Sequence, residues 1–285
     1  MRLVTFSEGA RTRIGCVVGE EVADLGGADV PQEMAAFLAG GAEAARDAVA
    51  ALAHAPRLPL AGVRLEPPVL RPRKFLAIGL NYADHIEETG LARPEFPLFF
   101  NKQPTCVTGP WDPIWMPRDS EQLDYEGELG FVIARRCRRV PRERAHEVIG
   151  GYFVVNDVSI RDWQFQAQTF TLGKSFDTHG PIGPWIMTPD ELGDPHALEL
   201  HTWVNGELRQ RSSTKHLVFD CYAQVEALSR ACTLEPGDLV STGTPGGVGM
   251  GSKPPRWLRV GDLVRVEIDG LGWIENRVVR EPDEG

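Results

Sequence analysis

Two glutamates two residues apart, Glu126 and Glu128, and a later aspartate, Asp157, are the side chains best suited to joint chemistry. Residues 125–133 form an apolar run rich in aromatic and β-branched types, the pattern of a strand. Residues two apart in a strand share a face, so the two glutamates stand side by side, roughly 6–7 Å apart at Cα. Asp157 closes a second apolar strand, residues 152–155. Carboxylate oxygens suit a hard divalent cation such as Mg²⁺, Mn²⁺ or Ca²⁺. Three of them fill about half of a six-coordinate shell, which leaves positions for water or a chelating substrate. The competing reading is a Glu-x-Glu on the wet face of an amphipathic strand, and the neighbouring motifs decide between the two.

A strand at residues 75–78 runs into a short helical segment, residues 83–89, where His85 and Glu88 stand three apart and therefore on one helix face. Glu88 can orient and charge-stabilise His85 as a general base, although such a pair is often simply exposed. Gly79 and Gly90 flank the segment and suit a mobile lid. After Asp157 come Arg161, Gln164 and Lys174. Arg161 and Lys174 offer donors for an anionic substrate, or counter-ions for the carboxylates. The loop Ser241-Thr-Gly-Thr-Pro-Gly-Gly-Val-Gly249 follows a strand but lacks the Gly-Lys-Ser/Thr ending of a phosphate cradle. Its backbone N–H groups, with Gly243 among them, and the hydroxyls of Thr242 or Thr244 can hold a carboxylate; an ordinary tight turn is the alternative.

The elements that must position these residues are mostly strands. The 285 residues, 42% hydrophobic and 25% charged, have ordinary globular composition. A net charge of −10 argues against a nucleic-acid surface. The one basic cluster, Arg135 to Arg144, reads as a solvated connection beside a helix at residues 144–149. Five scattered cysteines without a Cys-x-x-Cys pair predict neither a disulfide framework nor a zinc site, and fit a reducing cytoplasm. No apolar run is long enough to span a membrane. Residues 1–70 read as a small N-terminal α+β domain and linker, with a hairpin at residues 2–18 and a helix at residues 32–53. Residues 71–285 read as a β-rich main domain, a roll, sandwich or barrel, with a helix at residues 219–231.

Taken together, these motifs resemble the fumarylacetoacetate hydrolase superfamily, in its acylpyruvate hydrolase and 2-hydroxyhepta-2,4-diene-1,7-dioate isomerase branch. The resemblance is carried in order by Asn81-Tyr82 with His85 and Glu88, Asp124-Tyr-Glu-Gly-Glu-Leu129, Asn156-Asp-Val-Ser159 with Arg161 and Gln164, Gly173-Lys-Ser-Phe-Asp-Thr178, the 241–249 loop, and Gly261-Asp262 with Val266-Glu-Ile-Asp-Gly270. It implies a mixed β-roll or sandwich core with peripheral helices, a homodimer, and one Mg²⁺ or Mn²⁺ on Glu126, Glu128 and Asp157. It implies a lid dyad at His85 and Glu88, and substrate-polarising or carboxylate-binding positions at Arg161, Gln164, Lys174 and Thr244. The implied activity is cleavage of a carbon–carbon bond in an acylpyruvate or related 2,4-diketo acid. Oxaloacetate decarboxylation, 2-hydroxydienoate isomerisation and plain binding of a small acid are the alternatives. Two stretches depart from the family pattern: residues 165–173, where relatives often carry Gln-Trp, and His179, where Phe is common and a turn residue without chemistry is expected here.

Overall fold

The computed structural model describes residues 1–90 and 92–283. Its central strand, Gly127–Ile133, is buried along its whole length, which is why its sequence is continuously apolar after Glu128 instead of alternating. It pairs antiparallel with Ile149–Asn156 on one side and Leu239–Ser241 on the other, and the latter runs parallel to Phe75–Gly79. Alternate side chains serve two cores. Leu129, Phe131 and Ile133 pack with Val225 and Leu228 of the helix Cys221–Ala231 and with Val266 and Ile274 of a second sheet. Val132 points the other way, into a core with Leu3, Phe37, Phe153 and Ile182.

The large sheet has 12 strands and the second has five, with a small two-stranded ribbon between Leu123–Asp124 and Ser159–Ile160. This is the expected β-rich α+β sandwich with peripheral helices. The strands of residues 1–70 extend the large sheet, since Arg2–Glu8 pairs with both Arg11–Val18 and Gly180–Met187. The helix expected over residues 32–53 is two helices, Met34–Ala39 and Gly41–Leu52, because the chain turns at Gly40 and Gly41, where φ reaches +56° at Gly41. The helix expected at residues 144–149 is a 3₁₀ turn, Arg142–Glu147, and Ile149 instead pairs with Ile133 in the sheet. The helix expected from residue 219 begins at Cys221, where the Asp220 carboxylate accepts from the Ala223 N–H. Phe219 is held back by its own N–H, which donates to Asn81 Oδ1.

Arg144 pairs with Glu147, Arg142 with Asp220, and Arg138 donates to the last carbonyls of the Cys221–Ala231 helix, so the basic cluster is an exposed, locally neutralised connection. All five cysteines are free. Among the described residues no helix is long and apolar enough to cross a membrane.

His179, expected in a turn, is fully buried and stacks on Phe176. Its Nε2 donates to the Trp115 carbonyl at 2.8 Å, which leaves Nδ1 unprotonated. Burial outweighs that bond and holds the imidazolium form off until about pH 3. An unfolded histidine takes up its proton near pH 6.5. The stability owed to the neutral ring is therefore complete above about pH 6.5 and is lost as pH falls toward 3. His179→Phe should flatten the fall in thermal midpoint between pH 7 and pH 5, and an unchanged slope would refute this assignment.

Candidate active site

The central strand starts only at Gly127, so Tyr125 and Glu126 fall in a gap between Leu123–Asp124 and Gly127–Ile133. The expected strand over residues 125–133 is thus interrupted at its first glutamate. Two bonds hold the gap in register: Glu126 N–H donates to the Asn156 side-chain carbonyl at 3.0 Å, and Asp157 N–H donates to the Glu126 carbonyl at 2.8 Å. Asp157 is thereby set opposite Glu126. The ligand oxygens of Glu126, Glu128 and Asp157 lie within 4.8 Å of one another, all three residues buried.

Three buried carboxylates this close repel, and the surroundings respond unequally. Lys174 Nζ bridges Glu126 Oε2 at 2.5 Å and Asp157 Oδ2 at 2.9 Å. Lys102 Nζ takes the other Asp157 oxygen at 2.6 Å. Arg161 reaches Glu126 Oε1 at 2.6 Å and Asp124 Oδ2 at 2.8 Å, and donates to Gln164 Oε1 at 2.9 Å. Burial would raise the Glu126 carboxyl, but Lys174 and Arg161 hold it below the usual carboxylate range. Burial would likewise lower Lys174, but Asp157 and Glu126 raise it, so its ammonium is kept. Among the described residues no such cation touches Glu128. Burial, then Asp157 and Glu126, push it well above the usual range, although Ser241 Oγ and the Gly243 N–H donate to its Oε2 at 2.5 and 2.7 Å. A hard divalent cation fits here, because a set of oxygen donors with one carboxylate lacking a counter-charge is what such an ion satisfies.

The side chains of His85 and Glu88 meet on one helix face. The helix Ala83–Thr89 places His85 Nδ1 3.0 Å from Glu88 Oε2, and the Gly247 N–H donates to Glu88 Oε1 at 3.0 Å. A carboxylate only accepts, so Nδ1 carries the proton and Nε2 is the basic nitrogen. Burial would raise Glu88, but the bonds from His85 and Gly247 lower it.

A cavity of about 100 Å³ is lined by six of the expected side chains or their neighbours in the site: His85, Glu126, Arg161, Gln164, Lys174 and Thr244. Two expected donors are turned elsewhere. The Gly243 N–H serves Glu128 instead of facing the cavity, and the Thr244 hydroxyl donates to the Gly127 carbonyl while accepting from Gln210 Nε2. Gly173 packs flat against the 160–164 backbone, where a Cβ would meet Gln164 N at 2.2 Å. That contact seats Lys174 beside Gln164. Asp124 and Lys102 were not singled out from the sequence as site residues, yet Asp124 accepts from Gly249 and Met250 N–H as well as from Arg161, and Lys102 is 1% exposed.

The two kinds of carboxylate predict opposite effects in chelator-stripped protein. Glu128→Gln should leave the thermal midpoint unchanged or raise it, since a carboxyl whose charged form this site disfavours is replaced by a neutral amide whose oxygen still accepts from Ser241 and Gly243. Asp124→Asn should destabilise in a denaturant titration by up to about 3–5 kcal/mol, the range for removing one partner of a buried ion pair, since Arg161 keeps only Glu126 as a carboxylate partner. Equal losses in both variants would show that repulsion does not govern the cluster.

A model of the fumarylacetoacetate hydrolase C-terminal family matches residues 74–279. The chain is similar to a mitochondrial oxaloacetate tautomerase of Xenopus laevis, at 42% identity over 288 aligned residues, covering 98% of this chain and 90% of that protein. Its structure is similar to that of fumarylacetoacetate hydrolase from Exiguobacterium antarcticum, with a TM-score of 0.90 and 40% identity over 99% of this chain and 100% of that one. It is similar also to maleylpyruvate hydrolase from Sphingobium sp. SYK-6, solved with manganese(II) and pyruvate, with a TM-score of 0.83 and 35% identity over 99% of this chain and 100% of that one. With most of its length matched by the family model and its whole fold shared with the two solved structures, the chain belongs to the fumarylacetoacetate hydrolase family.

Proposed function

We propose that the protein is a divalent-metal-dependent hydrolase that cleaves the carbon–carbon bond of an acylpyruvate or related 2,4-diketo acid. The observation that carries this reading is the His85–Glu88 pair, 3.0 Å apart, over the same cavity that Glu126 and Lys174 line. A protein that only binds a small acid has no use for a base with its own carboxylate. Glu126, Glu128 and Asp157 would hold Mg²⁺ or Mn²⁺, which supplies Lewis-acid polarisation of the keto acid's oxygens.

His85 Nε2 takes a proton from water, and Glu88 stabilises the imidazolium that forms. The hydroxide adds to the distal carbonyl. Lys174, kept charged by Asp157 and Glu126, presents a fixed positive centre to the negative charge that develops. The bond between the distal carbonyl carbon and its methylene neighbour breaks, and the bonding pair passes to the pyruvate fragment. That fragment takes back the proton from His85, and the acyl group leaves as a carboxylic acid.

Tautomerisation of oxaloacetate is a second reading, favoured by the tautomerase relative that aligns with 98% of the chain. It needs proton transfer but no attacking water. Pyruvate release from acetylpyruvate, fumarylpyruvate and oxaloacetate, with chelator-stripped protein and with Mg²⁺ or Mn²⁺ restored, separates the two. Metal-restored pyruvate from a diketo acid, with its partner acid in equal amount, is the expected result. Conversion of oxaloacetate between enol and keto forms with no diketo acid cleaved would overturn it. Glu88→Ala should slow hydrolysis about 10²- to 10⁴-fold, the usual weight of a positioned base.

A further inference from the structure

The cavity changes character away from the carboxylates. Lys174 Nζ sits 5.2 Å from the centre of the Phe100 ring. Phe100 meets Phe170 edge-on at 6.1 Å, and Phe170 meets Phe165 edge-on at 6.2 Å. This row runs from the charged floor to the surface, since Phe100 is 6% exposed and Phe165 is 61% exposed. Ile78, Leu80 and Met250 complete the apolar lining. The cations that line the cavity, Arg161 and Lys174, are both engaged with the buried carboxylates at its floor.

Backbone strain marks the same wall. Among the described residues, five other than glycine have positive φ: Leu80, Arg139, Phe170, Thr178 and Asn205. The two bulky apolar ones, Leu80 at +52° and Phe170 at +59°, both line this cavity. A left-handed conformation is unfavourable for side chains of this kind, and glycine would relieve it. Strain retained at such positions points to a use for the side chain.

Resting on the hydrolase reading above, we infer that Phe100, Phe165, Phe170 and Leu80 form the acyl subsite and select 2-keto acids whose distal end is a short hydrocarbon chain over those whose distal end is a carboxylate. A distal carboxylate entering this wall loses its water and finds no uncommitted Arg or Lys among the described residues that line it, whereas a hydrocarbon chain exchanges water for aromatic faces.

Binding decides this independently of turnover. Calorimetric titration of the Mn²⁺-loaded protein with 2-oxohexanoate and with 2-oxoadipate compares ligands of equal carbon number, with and without a terminal carboxylate. The wild-type protein should bind 2-oxohexanoate at least about tenfold more tightly, and Phe170→Gly should erase most of that ratio while leaving the thermal midpoint unchanged or raised. Phe165→Ala, at an exposed position, should reduce the ratio in the same direction without touching the fold. Equal or tighter binding of 2-oxoadipate to the wild type, or a ratio unmoved by both substitutions, overturns the inference. Failure of the hydrolase reading shows separately, as absence of cleavage of any diketo acid, while the binding ratio still tests the wall.

Discussion

Four carboxylates and three cations meet in the interior with almost no contact with water. Asp124, Glu126, Glu128 and Asp157 face Lys102, Arg161 and Lys174, and none of the seven is more than 5% exposed. Removing ions from water is costly, and mutual attraction recovers that cost only when geometry and further hydrogen bonds are good. A cluster of this size is therefore poor value as a source of stability. It is better understood as a positioning device, because every charge has partners on segments remote in sequence. Lys102 ties the strand Leu98–Lys102 to Asp157 and to the Lys174 carbonyl, and Arg161 ties its own short helix to Asp124 and Glu126. Shifting any one segment leaves a buried ion without its partner, so the charges hold the segments in place as much as the segments hold the charges.

The backbone around the cluster is irregular where the chemistry requires it. A continuous strand through Glu126 would spend its N–H and carbonyl on a neighbouring strand. The gap at Tyr125 and Glu126 releases them to the Asn156 side chain and to Asp157, so the two segments carrying the carboxylates are fastened to each other. The helix that carries His85 follows the same logic. The helix Ala83–Thr89 has only seven residues and would not persist alone. It is fixed from outside, by Ser212 donating to Asp84 at 2.6 Å and Gly247 donating to Glu88. The His85 side chain is thus placed by the loop and the second sheet more than by its own helix.

What could be read from the sequence was what repeats at short range. Glu126 with Glu128, and His85 with Glu88, announce themselves by spacing, and the helix Ala83–Thr89 and the buried central strand follow from periodicity. Asp124 and Lys102 carry no such mark. Each is a single charged residue at the end of a strand, and its partner lies 37 residues away for Asp124 and 55 for Lys102, a relation that only the fold creates. The turn at His179 is real, but its ring folds inward onto Phe176 and the Trp115 carbonyl, contacts that no local pattern announces. The left-handed backbone at Leu80 and Phe170 runs against what either residue type prefers, so propensity could not have found it.

That last failure of local reasoning connects the two halves of the cavity. Charged residues at the floor are held by other charges, so their placement is paid for within the cluster itself. The apolar wall has no equivalent partners: Phe165 is largely exposed and Phe170 touches other rings only by their edges. Its placement is written into the backbone instead, through conformations that glycine would adopt more easily. A floor that is rigid because it is ionic, beside a wall that is held by strain and open to solvent, lets the two ends of a substrate be recognised by unrelated physics. On the proposed reading, the keto-acid end would meet a fixed electrostatic pattern, and the distal end a surface that can vary without disturbing the charges beneath it.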